Sequence, residues 1–109
     1  MTLPDAVRRV LLDAADLIEP EGCWTQGNMA VDADGHLCMP RGRDAVCWCA
    51  LGAIARSSPS HGVSMDAVGL LRLHLKGSRI SEWNDAPGRT QAEVVSALRD
   101  AAGKGKEEA

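Results

Sequence analysis

The sequence has no phenylalanine and no tyrosine, and Trp24, Trp48 and Trp83 are its three large aromatic residues. A core made from this chain must therefore be Leu, Val, Ile, Ala and Met, anchored by tryptophan. No aromatic series is available on which successive bases could stack. Long hydrophobic runs are also missing. The longest, Ala45–Ala55, falls well below the roughly 20 apolar residues that a membrane-spanning helix needs. Basic charge is in short supply: 12 Lys and Arg face 15 Asp and Glu, a net charge of −3. Bulk electrostatics therefore speak against nucleic acid as a partner of the whole molecule. The four cysteines contain no Cys-x-x-Cys pair, the spacing by which most zinc modules are recognised.

What is present is ordinary globular composition, 45% hydrophobic and 25% charged over 109 residues. That length predicts one domain, residues 1–102, followed by a polar tail, residues 103–109. Residues 1–40 hold seven acids and two bases, whereas residues 41–99 hold eight bases and five acids. The N-terminal MTLPDAVRRV lacks the layout of a secretory leader. The expected setting is a reducing cytoplasm, where the cysteines are thiols or metal ligands before they are disulfides.

Read in order, Thr2 and Asp5 offer a cap and first-turn acid for a helix over about residues 3–19, with Val7, Leu11, Ala14, Leu17 and Ile18 on its apolar face. Pro20 and Gly22 end it. Asp32-Ala-Asp-Gly35 between Met29–Val31 and His36–Cys38 predicts a β-hairpin. The Asp32-x-Asp34-Gly35 spacing matches only part of a calcium loop, and Arg43 stands where its twelfth-position acid belongs. Asp44 is a natural cap for a helix over about residues 45–57, which would be apolar all round and hence central. Ser64 can cap the next helix, with Met65, Val68, Leu71 and Leu75 on one face and Gly77 as its stop. Ile80 and Trp83 fit a short helical turn, and Asn84–Gly88 a chain reversal. Thr90 with Glu93 has capping-box spacing and opens a last helix over about residues 91–102. The predicted fold is a helix-rich α+β domain: about four helices around the Cys- and Trp-containing one, plus a short hairpin.

Three segments, WTQG at 24–27, AVCWCALGAI at 45–54 and WNDAPGRTQAEV at 83–94, carry a family resemblance. Together they resemble an uncharacterised family of short proteins from actinobacterial and other bacterial genomes and their phages. The matching residues are Trp24, Gln26, Gly27, Cys47, Trp48, Cys49, Gly52, Trp83, Asn84, Asp85, Gly88, Arg89 and Thr90. The resemblance implies a bacterial or phage setting and supplies no mechanism.

Three chemistries can be drawn from the polar residues. A zinc site would use Cys23, His36, Cys38 and Cys47, with Cys49 as a further thiol. Against it, residues two apart on a helix point about 200° from each other, so Cys47 and Cys49 would not grip one ion. Without that site no cofactor is expected, and the cysteines are small core residues. A cysteine enzyme would use Cys47, activated in the first turn of a helix capped by Asp44. Gln26 would donate to an oxyanion, His36 or His74 would act as base, and Asn84 or Asp85 would orient it. The order Gln–Cys–His–Asn resembles that of papain-like proteases, but the chain is much shorter and lacks their sequence around the cysteine.

A nucleic-acid surface would draw on Arg41, Arg43, Arg56, Arg72, Lys76, Arg79 and Arg89, yet no helix-turn-helix spacing accompanies them. Trp24, Gln26, Asp85 and Arg89 are candidates to line a binding site, with Arg89 free to pair with Asp85 or an anion. Each also has a structural use in a turn, a cap or the core. The reading that remains is a non-enzymatic adaptor or regulator that binds a protein, another or a second copy of itself.

Overall fold

Apolar residues at helical spacing give α1 (Asp5–Ile18) one continuous buried stripe: Val7, Val10, Leu11, Ala14, Ala15 and Ile18. The computed structural model describes residues 5–107, so the expected cap by Thr2 lies outside the described residues. After α1 come β1 (Ala30–Val31), β2 (Cys47–Trp48), α2 (Ala50–Ser57), α3 (His61–His74), α4 (Ile80–Asn84) and α5 (Gln91–Glu107). The architecture is a helix-rich α+β fold, and the turn expected at Ile80–Trp83 is α4. The stripe of α1 faces α5, α2 and α3, and α2 in turn touches α3, α4 and β2.

The interior is aliphatic, as the missing aromatics dictate. Leu11, Ile18, Ile54, Leu71, Val94 and Leu98 are fully buried among alanines such as Ala14, Ala53, Ala67 and Ala101. Each buried leucine or isoleucine stabilises the fold by about 2 kcal/mol relative to exposure. Alanines let helix axes approach closely where larger residues would hold them apart. The ends of α1 and α2 are closed by side chains from elsewhere. Gln91 Nε2 reaches the carbonyls of Ile18 at 2.6 Å and Pro20 at 2.7 Å. Arg41 donates to the carbonyls of Ala55 and Arg56 in the last turn of α2 and of Ser58 just after it.

Four short extended pieces lie side by side. β1 pairs with β2 antiparallel, Ala30 opposite Trp48 and Val31 opposite Cys47. Trp24 bridges the far side of β2 in parallel, and Leu37 bridges the far side of β1 antiparallel. The expected hairpin is therefore present as its turn and one bridge. Asp32 organises that turn by accepting from the amides of Asp34 and His36, both at 2.9 Å, while Gly35 takes φ +82°. The register beyond the turn differs: the main partner of β1 is Cys47–Trp48, not His36–Cys38.

This pairing displaces the start of α2. The helix begins at Ala50 rather than 45, and its N-cap is Cys49, whose Sγ accepts from the Gly52 amide at 3.3 Å, rather than Asp44. Val46, Cys47 and Trp48 suit extended backbone, and the neighbouring strands hold them there. Two further boundaries shift. Ser60, not Ser64, caps α3 through the Val63 amide. Met65, expected on the inner face of α3, is 54% exposed; Leu71 is buried as expected, and Ala67 is buried with it. Gly77 does follow the end of α3, with φ +85° and its amide on the Arg72 carbonyl. α5 continues past the boundary expected near 102, to Glu107.

Candidate functional site

Asn84 sits at the end of α4 with no exposed surface, and its side-chain amide uses all of its hydrogen-bonding capacity. Oδ1 accepts from Trp24 Nε1 at 2.8 Å and from the Ala50 amide at 3.0 Å. Nδ2 donates to the Thr25 carbonyl at 3.1 Å and to Asp85 Oδ1 at 2.9 Å. Ala50 is the first residue of α2, so Asn84 closes an unpaired helix amide from a distant part of the chain. Asp85 accepts in addition from the Gly27 amide at 2.9 Å. Gln26 Nε2 donates to the carbonyls of Asn84 and Ala86, at 2.9 and 3.3 Å.

The candidate residues Trp24, Gln26, Asn84 and Asp85 thus do meet. They meet as partners of one another and of backbone, forming a clasp that ties residues 24–27 to α4 and to the start of α2. Arg89 is engaged differently from the pairing with Asp85 that its sequence position suggests. Its guanidinium lies 4.1 Å over the Trp83 ring, Nε donates to the Trp83 carbonyl at 2.9 Å, and Nη1 pairs with Glu93 at 3.2 Å. The capping box beside it is formed: Glu93 accepts from the Thr90 amide, and Thr90 Oγ1 from the Glu93 amide. The bond from the Thr90 amide, then that from the Thr90 hydroxyl to the same carboxyl oxygen, aided by Arg89, hold the Glu93 carboxyl below its ordinary range.

Cys47 lies on β2, not in the first turn of a helix, so it lacks the dipole invoked to activate it. Its thiol donates to the Gly22 carbonyl at 2.8 Å, and burial pushes its pKa up. His36 faces Asp32 at 4.0 Å, and no hydrogen bond joins it or His74 to Cys47 among the described residues. The four zinc candidates are not assembled either. Among the described residues, the metal-type side chains that gather closely are Asp32, Asp34 and His36, whose Asp32 already organises the hairpin turn. Of the basic residues considered for nucleic acid, Arg41, Arg56, Arg72 and Arg89 donate to backbone carbonyls.

Sequence reasoning missed the apolar face beside the hairpin. Leu37 is 71% and Met39 74% exposed, and Met29 and Val46 are exposed with them. A groove of about 810 Å³ runs along Met29, Leu37, Cys38, Met39, Pro40 and Ala55. The backbone at its rim is open. Across the bridge to β1, Asp32 N–H bonds to the His36 carbonyl and Cys38 N–H to the Ala30 carbonyl. In that antiparallel geometry the amide and carbonyl of Leu37 itself point away from the sheet. The period-two placement of Leu37 and Met39 around Cys38 was the available signal.

Fold and site together define a small helix-rich α+β protein with an internal polar clasp and one open apolar sheet edge. Residues 2–104 match the model of the family described as "Family of unknown function (DUF6197)", and the chain belongs to that family. No curated protein and no solved structure matches the chain. No helix among the described residues is long and apolar enough to cross a membrane.

Proposed function

We propose that this protein is a non-enzymatic binding module, an adaptor or regulator of the cytoplasm, that takes an extended apolar segment of a partner protein along the Leu37 edge. One observation carries the reading: among the described residues the backbone amide and carbonyl of Leu37 have no partner, and they lie beside exposed Leu37, Met39 and Met29 side chains. An added strand would satisfy those backbone groups, and its alternate side chains would enter the groove. Methionines suit such a surface because their flexible thioethers adapt to different shapes. No comparable observation favours catalysis at Cys47, whose thiol is hydrogen-bonded and shifted away from the thiolate.

The test is selection of displayed random dodecapeptides on the folded protein, followed by amide exchange with a synthesised winner. Binders with alternating apolar residues and slowed exchange at Leu37 are expected. Leu37→Pro removes an amide that the fold does not use, and should weaken binding about tenfold. Binders that leave Leu37 exchange unchanged, or that bind Leu37→Pro equally well, overturn the reading.

A further inference from the structure

Trp48 of β2 bonds to a second neighbour besides β1. Its amide donates to the Cys23 carbonyl at 2.9 Å, and its carbonyl accepts from the Thr25 amide at 3.1 Å. These bonds make the parallel bridge between Trp24 and Trp48. One residue back along both pieces, parallel register sets Cys23 beside Cys47. Adjacent strands are about 4.8 Å apart, inside the window of Cα separations, about 4.4–6.8 Å, that a disulfide spans. The Cys47 sulfur confirms the proximity from the other direction, lying 2.8 Å from the carbonyl oxygen of Gly22, on the peptide that leads into Cys23. Both thiols are free and half-buried.

The other two cysteines are differently placed. Cys49 is buried and caps α2. Cys38 bonds to β1 on the opposite side from β2. Charge on Cys23 also opposes ionisation of Cys47, as expected of two thiols that share a site.

We propose that Cys23 and Cys47 are a redox modification site, a thiol pair that closes to an intramolecular disulfide when the protein meets a peroxide. The thiolate of one cysteine attacks a peroxide oxygen: an S–O bond forms, the O–O bond breaks, and hydroxide leaves to take up the thiol's proton as water. The second sulfur then attacks the resulting sulfenic acid. The S–S bond forms, the S–O bond breaks, and the hydroxyl departs with the second proton as water. Two thiols lose two electrons, and one peroxide is reduced to two waters. The bond would fasten the piece carrying Trp24 and Gln26 to β2. In a reducing compartment such a pair is transient and reports on oxidant, rather than serving as a permanent staple.

The experiment treats the full chain with hydrogen peroxide, quenches, denatures and alkylates with iodoacetamide, then counts alkylated cysteines by intact mass. The count should fall from four to two in the wild type and from three to one in Cys38→Ser. In Cys23→Ser and Cys47→Ser it should show no paired loss. Tandem mass spectrometry of the oxidised wild type, which requires no variant to fold, should find Cys23 linked to Cys47. A link between any other two cysteines, paired loss in Cys23→Ser, or four thiols that survive peroxide would overturn the proposal.

Discussion

The side-chain oxygen of Asn84 caps α2 by accepting from the Ala50 amide at 3.0 Å, although Asn84 belongs to α4. The same oxygen holds Trp24, and the amide nitrogen of the same side chain holds Thr25 and Asp85. Two of the three resembling segments therefore close on the helix that the third one begins. Their polar residues are occupied by one another, and the surface left open lies at Leu37.

Asn84→Ala removes every bond of the clasp's central side chain and strands the buried Ala50 amide, together with the half-buried Trp24 indole N–H and Thr25 carbonyl. Unmet buried groups cost about 1–3 kcal/mol each, so a loss of about 3 kcal/mol or more is expected in urea unfolding. Asn84→Asp should fare worse at neutral pH, because its carboxylate would face Asp85 and the Thr25 carbonyl. Its carboxyl would titrate above the unfolded value, so the penalty should shrink as pH falls. A wild-type midpoint for Asn84→Ala contradicts the clasp.

Gly52→Ala tests a close approach. Replacing glycine in a helix ordinarily stabilises by about 1 kcal/mol. Here the added Cβ would lie 1.9 Å from the Met29 carbonyl oxygen, which is backbone and itself bonded to the Cys49 amide. Overpacking costs about 1–3 kcal/mol and decides the sign. Thermal unfolding should show a lowered midpoint, and a raised one contradicts the packing.

The capping box makes a pH prediction. Glu93 titrates below its ordinary value in the folded chain, so its contribution is complete above the unfolded pKa and is lost as pH falls through the folded one. Glu93→Gln keeps a capping side chain without that ionisation. Melting curves from neutral to acidic pH should fall less steeply for Glu93→Gln than for the wild type. Parallel curves would remove Glu93 from the acid response.

Arg89→Lys separates shape from charge. Lysine keeps the positive charge near Glu93 but cannot lie flat 4.1 Å over Trp83 while also donating to its carbonyl. A loss of about 1 kcal/mol is expected in unfolding followed by tryptophan fluorescence. An unchanged midpoint means that charge alone suffices.

Local features were the legible ones in the sequence. The apolar stripe of α1, the Thr90–Glu93 box and the stop at Gly77 follow from residues near one another in the chain. The start of α2 was not legible, because Val46–Trp48 leave the helix to pair with strands from residues 23–25 and 30–31. Asn84 was legible as a turn residue, and its true use depends on bringing residue 50 beside it. Gln26 and Asp85 stood out as polar candidates and meet across the clasp, but no local pattern tells an amide that meets a ligand from one that meets a carbonyl across the fold. The open edge at Leu37 was written in its alternation with Met39. The hairpin signal alone could not say which side of β1 would be covered.

Native-state hydrogen exchange at the Ala50 amide tests the clasp most directly. With the fully buried Asn84 as its acceptor, this amide should exchange only on global unfolding, with the opening free energy of the whole domain. Asn84→Ala should speed its exchange beyond the change in global stability. Rapid exchange of Ala50 in the intact protein, at rates typical of a frayed helix end, would mean that Asn84 does not hold α2 and that its side chain is free for other chemistry.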